Sequence, residues 1–154
     1  MKNSVIEIEN KAGFCPGVQR AIEIAEKELQ KKNELFCRGD IVHNPEEINR
    51  LHRLGLRVIH REEFKHLKQA RVLIRSHGEP PNIYKIAKKN QLELIDTTCK
   101  IVGNLQQKVK KAWDEIRESE GQVVIFGKPG HPETIGLNGQ INNEAIVIQG
   151  VKEI

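Results

Sequence analysis

Short apolar runs alternate with longer amphipathic stretches along almost the whole chain. The apolar runs predict strands at residues 5–8, 35–42, 56–59, 72–74, 92–95, 123–126 and 145–148. The amphipathic stretches repeat apolar residues three or four positions apart and predict helices at residues 16–29, 44–54, 82–90 and 102–116. Strands that alternate with helices in this way form βα units. The predicted fold class is therefore α/β, with mostly parallel sheets covered by helices.

The helix predicted after residue 43 carries the clearest boundary signals. Asn44 is a suitable N-cap, Pro45 fits the first helical position, and Glu47 lies where a capping box places its carboxylate. Gly55 suits the position at which a helix ends in a left-handed turn. These residues predict both ends of the helix.

A weak internal repeat indicates how the elements are grouped. Cys15 lies between a predicted strand and a predicted helix, and Cys99 lies in the same setting further along the chain. We therefore predict repeated small three-layer α/β modules, the first at residues 1–98 and the second at residues 99–154. Only a few residues follow the last predicted strand, so the second module is expected to be incomplete.

Composition narrows the class of protein. The chain has 154 residues, 38% of them hydrophobic and 30% charged, which is typical of a globular protein. No apolar run approaches the ~20 residues of a membrane-spanning helix, and no secretory signal is evident, so a cytoplasmic location without membrane association is expected. The net charge of +4 suits a phosphate-bearing ligand, nucleic acid or a solvated basic face. Aromatic residues make up only 4%, which argues against a nucleic-acid partner.

The three cysteines are too few and too widely spaced for a disulfide framework, and no CxxC pair indicates a zinc ribbon. Cys15 and Cys99 each precede a predicted helix, where the helix dipole favours the thiolate that binds iron. An inert cysteine is the alternative for either residue alone, but the repeated setting favours a shared ligand role. Cys37 lies inside a predicted strand, so we expect it to pack in the core.

Five reactive side chains follow predicted strands, namely Cys15, His43, His77, Cys99 and His131. Ligands of parallel α/β sheets bind at the carboxyl ends of the strands, so we expect these residues to meet at one edge. A lone loop histidine is usually a solvated residue. Three in equivalent settings predict a site for an anion such as a diphosphate. We therefore expect an iron–sulfur cluster beside a phosphate-bearing substrate.

Glu133 follows His131 by two residues and has two possible roles. Burial in a pocket would raise its pKa and make it a proton donor. Alternatively, it is a carboxylate favoured by the dipole in the first turn of a helix. The residues themselves leave both roles open. The settings of the remaining histidines indicate no role for His52, His60 or His66.

The reactive residues lie in short motifs whose order resembles one known family. The motifs are Gly13-Phe14-Cys15-Pro16-Gly17-Val18, Val42-His43-Asn44, Ser76-His77-Gly78, Asp96-Thr97-Thr98-Cys99 and Gly130-His131-Pro132-Glu133. Together they resemble the 4-hydroxy-3-methylbut-2-enyl diphosphate reductase family, which acts in the methylerythritol phosphate pathway of isoprenoid biosynthesis. Each motif is short, but the ordered set extends over the whole chain and is specific.

The resemblance implies a trefoil of three α/β modules around a [4Fe–4S] cluster, with Cys15 and Cys99 as cluster ligands and a third cysteine beyond Ile154. It also implies that the three histidines contact the diphosphate and that Glu133 serves a proton relay. The reaction would be the reductive dehydroxylation of an allylic diphosphate to isopentenyl and dimethylallyl diphosphates. Electrons would come from a ferredoxin or flavodoxin type donor. The alternative is a cluster-free module that binds a diphosphate or a nucleotide through the histidines.

Overall fold

Helices and strands alternate along the computed structural model, which describes residues 5–10 and 12–153. The strands are β1 (Leu35–Arg38), β2 (Leu56–Ile59), β3 (Arg71–Ile74), β4 (Glu93–Asp96), β5 (Val124–Phe126) and β6 (Ile146–Ile148). The α-helices are α1 (Pro16–Lys31), α2 (Pro45–Arg53), α3 (Arg61–His66), α4 (Pro81–Lys89), α5 (Lys100–Ile116) and α6 (Pro132–Gly139). Two short 3₁₀ helices lie at Arg117–Ser119 and Val151–Glu153.

Strands β1 to β4 form a parallel sheet in the order β2–β1–β3–β4. Side chains of β3 alternate between its two faces. Leu73 packs in the cluster that contains Ala21 of α1 and Leu51 of α2, whereas Val72 and Ile74 join the cluster formed with α3 and α4. Helices therefore cover both faces of this sheet. The predicted α/β class with parallel strands is confirmed.

Strands β5 and β6 form a second, two-stranded parallel sheet, connected by α6. Val124, Phe126 and Ile146 of this sheet are 54%, 73% and 48% exposed. The long helix α5 has the predicted apolar stripe, but none of its described residues is buried, and Ile101 and Leu105 face solvent. The division into modules at residues 1–98 and 99–154 stays a prediction.

The strand predicted at residues 5–8 is wrong. These residues form no regular secondary structure, and Val5, Ile6 and Ile8 are more than 80% exposed. Their alternating apolar pattern pairs with no neighbouring strand among the described residues, and a strand without a partner leaves its backbone groups to water. Cys15 therefore follows a loop and not a strand.

Local backbone conformation sets the end of β1 and both ends of α2. The strand predicted at residues 35–42 stops at Arg38, because Gly39 adopts a φ of +76° and turns the chain away from the sheet. The boundaries predicted for α2 are confirmed. The side chain of Asn44 accepts a hydrogen bond from the backbone N–H of Glu47 at 3.1 Å, and Gly55 follows the helix with a φ of +106°.

Two helices were not predicted from the apolar pattern. Helix α3 has six residues and buries one large apolar side chain, Phe64, so it is too short to show helical periodicity. Helix α6 buries a mixture of residue types, including Thr134, Gly136 and Leu137, and so lacks a clear apolar stripe. Across residues 5–10 and 12–153, no helix combines the length and apolar character needed to cross a membrane.

Leu73→Ala should lower the free energy of unfolding by about 2–5 kcal/mol, because Leu73 is fully buried in β3 and its truncation leaves a cavity. Leu54→Ala is the matched control. Leu54 is 45% exposed, so we expect a change below about 1 kcal/mol. Urea unfolding followed by circular dichroism measures both values. Equal losses in the two variants would contradict the central position of Leu73 in the core.

Candidate functional site

Three histidines from different parts of the chain converge beyond the carboxyl ends of β1 and β3. His43 lies between β1 and α2, His77 between β3 and α4, and His131 is the N-cap of α6. The ring centroids of His43 and His77 are 6.0 Å apart, and those of His77 and His131 are 5.7 Å apart. One ring nitrogen of each residue lies within 4.8 Å of the others. We call these residues the histidine cluster.

Close backbone packing brings the segments of the histidine cluster together. Gly78 has a φ of +67°, and its N–H donates to the carbonyl of Arg75 at 3.0 Å, which closes the turn that carries His77. A Cβ built on Gly78 would lie 2.7 Å from Nε2 of Gln106, and one on Gly136 would lie 3.1 Å from the same atom. Gln106 of α5 therefore fits between the His77 turn and α6 because both neighbours are glycines.

His77 is held in its neutral form by its surroundings. Burial lowers the pKa of His77 to about 4, and the neighbouring Arg75, His131 and His43 act in the same direction. At neutral pH the imidazole therefore carries one N–H donor and no charge. Its Nδ1 is buried and has no hydrogen-bond partner.

The hydrogen bond made by His131 bears on what the cluster can bind. Three close imidazoles can coordinate a transition metal or donate hydrogen bonds to an anion. Nδ1 of His131 accepts a hydrogen bond from the backbone N–H of Glu133 at 3.3 Å. The neutral imidazole then carries its hydrogen on Nε2, where it is a donor and offers no lone pair to a metal. This tautomer, at the N-terminus of α6, favours an anion.

The two cysteines predicted as iron ligands both begin helices. Cys15 is the N-cap of α1 and Cys99 is the N-cap of α5, and neither side chain makes a capping hydrogen bond. A Cβ built on Gly17 would lie 2.9 Å from Sγ of Cys99. The thiol of Cys99 therefore packs against the first turn of α1, which Cys15 begins. The structure brings these two cysteines to adjoining helix N-termini.

The donor set suits part of an iron–sulfur cluster. Cys15 is exposed and Cys99 partly exposed, so both thiols are accessible to iron. Cys37 is fully buried in the core beside Leu35 and Leu73, where burial raises the pKa of its thiol to about 12. Such a thiol stays protonated and is a poor metal ligand. The described chain therefore supplies two suitable thiolates.

The backbone of Cys99 contacts the segment that carries His77. The backbone N–H of Cys99 donates to the carbonyl of Ser76 at 2.8 Å, directly beside His77. Asp96 supports this region, since Oδ1 accepts from the backbone N–H of Thr98 at 2.9 Å and Oδ2 accepts from the hydroxyl of Tyr84 at 2.9 Å. Asp96 lies in the motif Asp96-Thr97-Thr98-Cys99, of which the sequence singled out only the cysteine. The supporting roles of Asp96 and Tyr84 carry no sequence signal of their own.

Glu133 lies in the first turn of α6 and is partly buried. Its backbone N–H, not its carboxylate, makes the hydrogen bond to His131. This position is consistent with either role considered from the sequence, a proton donor or a carboxylate at a helix N-terminus. Its role as a proton donor stays a prediction.

A cavity of about 710 Å³ lies at the same edge of the four-stranded sheet. Its charged lining residues among those described are cationic, namely Arg38, Arg61, Arg75, Lys85 and Lys110. Such a concentration of positive charge raises the local concentration of anions. No member of the histidine cluster lines this cavity, so it is a separate feature of the sheet edge that is suited to an anion.

The fold and site define a class, an α/β protein in which thiols and imidazoles meet at the edge of a parallel sheet. The family model described as LytB protein matches residues 6–154. The chain therefore belongs to the LytB family.

Relatives and solved structures agree with this assignment. The chain is 49% identical over 148 residues to the 4-hydroxy-3-methylbut-2-enyl diphosphate reductase of Bacteroides thetaiotaomicron, covering 96% of the chain and 51% of that protein. It is 51% identical over 144 residues to the Chloroherpeton thalassium reductase, covering 94% and 44%. The chain spans about half the length of the curated relatives it matches.

Two solved structures share the fold. The structure of (E)-4-hydroxy-3-methyl-but-2-enyl diphosphate reductase, the terminal enzyme of the non-mevalonate pathway, superposes with a TM-score of 0.77 at 36% identity, over 97% of this chain and 52% of that one. The corresponding reductase from Plasmodium falciparum gives a TM-score of 0.77 at 29% identity, over 94% and 44%. Both solved structures, like the curated relatives, carry the reductase name.

The low pKa of His77 predicts a specific acid sensitivity. The unfolded imidazole titrates near 6.5, so as the pH falls through 6.5 the unfolded chain takes up a proton that the folded chain does not. Folding stability therefore decreases between about pH 6.5 and pH 4, and this group causes no further loss below pH 4. Because His77 is only half buried, we expect solvent screening to limit the loss to about 1–2 kcal/mol.

His77→Gln removes this titration and keeps a polar side chain at the site. Thermal unfolding of both proteins between pH 7 and pH 4 should show a smaller fall in Tm for the variant. A fall in Tm identical to that of the parent chain would show that His77 does not titrate as its burial requires.

Proposed function

We propose that this chain forms the diphosphate-binding and part of the iron-binding side of a 4-hydroxy-3-methylbut-2-enyl diphosphate reductase. The observation that carries the proposal is the convergence of His43, His77 and His131 beside two thiols at helix N-termini. The names of the relatives point to the same reaction. That reaction is the reductive dehydroxylation of the allylic diphosphate, which yields isopentenyl and dimethylallyl diphosphates. The full activity requires the other half of the family chain.

The histidine cluster acts in this proposal as the diphosphate site. The Nε2–H of His131 donates to a phosphate oxygen, and the neutral imidazole of His77 donates its single N–H. Hydrogen bonds to a charged acceptor are stronger than those between neutral groups. The position of His131 at the N-terminus of α6 supports the assignment, because helix N-termini bind anions.

Cys15 and Cys99 are the thiolates that would hold a [4Fe–4S] cluster, and a third cysteine would come from the other half of the family chain. When bound, the cluster supplies the electrons needed to break the allylic carbon–oxygen bond. Glu133, two residues from His131, is proposed to deliver a proton to the departing hydroxyl, which leaves as water. A second proton must reach the allylic carbon, so that two electrons and two protons give the product and water. The helix N-termini at both cysteines support the ligand assignment.

Partners and location follow from this chemistry. A two-electron reduction needs an external donor, for which a ferredoxin or flavodoxin type protein is proposed. The three cysteines are all free thiols, which suits a reducing compartment such as the cytoplasm. No nucleic acid or membrane partner is required by the proposed reaction.

His131→Ala should weaken the binding of inorganic diphosphate by about 10- to 100-fold, because it removes a hydrogen bond to a charged acceptor. Isothermal titration calorimetry of the 154-residue chain provides the measurement. His52→Ala is the control, since His52 is exposed on α2, and it should bind diphosphate as the parent chain does. The proposal fails if His131→Ala and the parent chain bind diphosphate equally.

Cluster assembly is best tested with both halves present. The chain can be co-expressed with the C-terminal half of the Bacteroides thetaiotaomicron relative and reconstituted anaerobically with iron and sulfide. Cys15→Ser and Cys99→Ser should each abolish the thiolate-to-iron absorption, whereas Cys37→Ala should retain it, because Cys37 is sealed in the core. Loss of the absorption in Cys37→Ala, with the fold intact, would overturn the ligand assignment.

A further inference from the structure

One buried glutamate contacts the ends of β1 and β3, which lead into the loops of His43 and His77, and the residue that ends α6. Glu79 is only 3% exposed and lies two residues after His77. Its Oε2 is 2.5 Å from a guanidinium nitrogen of Arg38, at the end of β1, and its Oε1 is 4.0 Å from the guanidinium of Arg75, just after β3. Its backbone carbonyl accepts a weak hydrogen bond of 3.4 Å from Gln140, which directly follows α6.

We propose that Glu79 is a positioning residue for the histidine cluster, and for His77 above all. Its carboxylate holds the segment of residues 75–79 between two arginines at the carboxyl ends of neighbouring strands. The consequence for diphosphate binding rests on the proposed function, whereas the placement of His77 does not.

Arg75 extends this network to the segment that carries His43. Its guanidinium donates to the carbonyl of Asp40 at 3.4 Å. A Cβ built on Gly39 would lie 2.6 Å from the same guanidinium, so the side chain of Arg75 passes over a position that must be glycine. Two loops that carry histidines are thereby joined through one cation, and that cation faces Glu79.

A purely stabilising role accounts poorly for this arrangement. Burial raises the pKa of Glu79 and Asp96 adds to that effect, while Arg38 and Arg75 oppose it. Nε of Arg38, Nε of Arg75 and Oε1 of Glu79 are buried without hydrogen-bond partners. Desolvated ion pairs of this kind contribute little net stability compared with apolar packing, and their best-attested use is to fix one arrangement among several. Here the arrangement that they fix is the turn of His77.

The test uses the 154-residue chain and the variants Glu79→Gln and Glu79→Asp. The readout is the ¹⁵N chemical shift of the His77 imidazole across a pH titration, where His77 is faced by Arg75, His43 and His131. Glu79→Gln leaves two guanidinium groups without a counter-charge, so the turn should open to water. Loss of the counter-charge of Arg75 alone would lower the pKa of His77 further, so a rise of about one pH unit above about 4 would report that the turn has opened to water, and a fall would contradict the proposal. Glu79→Asp keeps the charge and should restore part of the difference.

Glu28→Gln is the matched control. Glu28 forms a partly buried ion pair with Arg71, at the opposite end of β3, so its loss disturbs the same sheet far from the histidines. This variant should leave the His77 titration unchanged even where it lowers Tm. An unchanged His77 midpoint in folded Glu79→Gln would overturn the proposal. If Glu79→Gln does not fold, an unchanged midpoint in Glu79→Asp would overturn it equally.

Inorganic diphosphate affinity, measured on the same samples, separates this inference from the proposed function. Glu79→Gln should bind diphosphate about tenfold more weakly than the parent chain, and Glu28→Gln should bind it equally well. If the parent chain binds no diphosphate, the proposed function is contradicted while the His77 titration still decides the positioning role of Glu79.

Discussion

Parallel pairing of β1 with β3 is the constraint on which the histidine cluster depends. The two strands are neighbours in the sheet although α2, β2 and α3 separate them in the chain. Because they run in the same direction, the loops after Arg38 and after Ile74 leave the sheet side by side. The strand order also reverses between these two strands, and such a reversal opens a crevice in which α/β proteins bind ligands. His43 and His77 stand in the two loops that border this crevice.

Two glycines determine how closely α1 approaches Cys99 and how closely α6 approaches α5. Gly17 lets the thiol of Cys99 reach the first turn of α1, and Gly136 lets α6 approach the side chain of Gln106. An added methyl group at either position would meet these atoms at 2.9 Å and 3.1 Å. Gln106 also packs against Gly78, so α5 and α6 meet the edge of the first sheet at the turn of His77.

The surroundings of each cysteine give its thiol a different chemistry. Cys37 and Cys99 are both free thiols, but Cys37 lies among Leu35 and Leu73 inside the core, whereas Cys99 begins a helix at the sheet edge. Desolvation keeps the thiol of Cys37 protonated, whereas the thiol of Cys99 is partly exposed. The charged groups differ in exposure as well: Glu79 is buried, whereas its partners Arg38 and Arg75 are partly exposed and line the cavity at the sheet edge.

The sequence by itself determined the α/β class, the limits of α2 and the core position of Cys37, because each follows from local periodicity, capping or burial preference. It also singled out the three histidines as residues near predicted strand ends. It misjudged residues 5–8, whose apolar alternation has no partner strand to pair with. Tertiary structure alone decided the tautomer of His131, the neutral state of His77 and the burial of Glu79 between two arginines. These properties arise from contacts between segments distant in the chain, which no local pattern encodes.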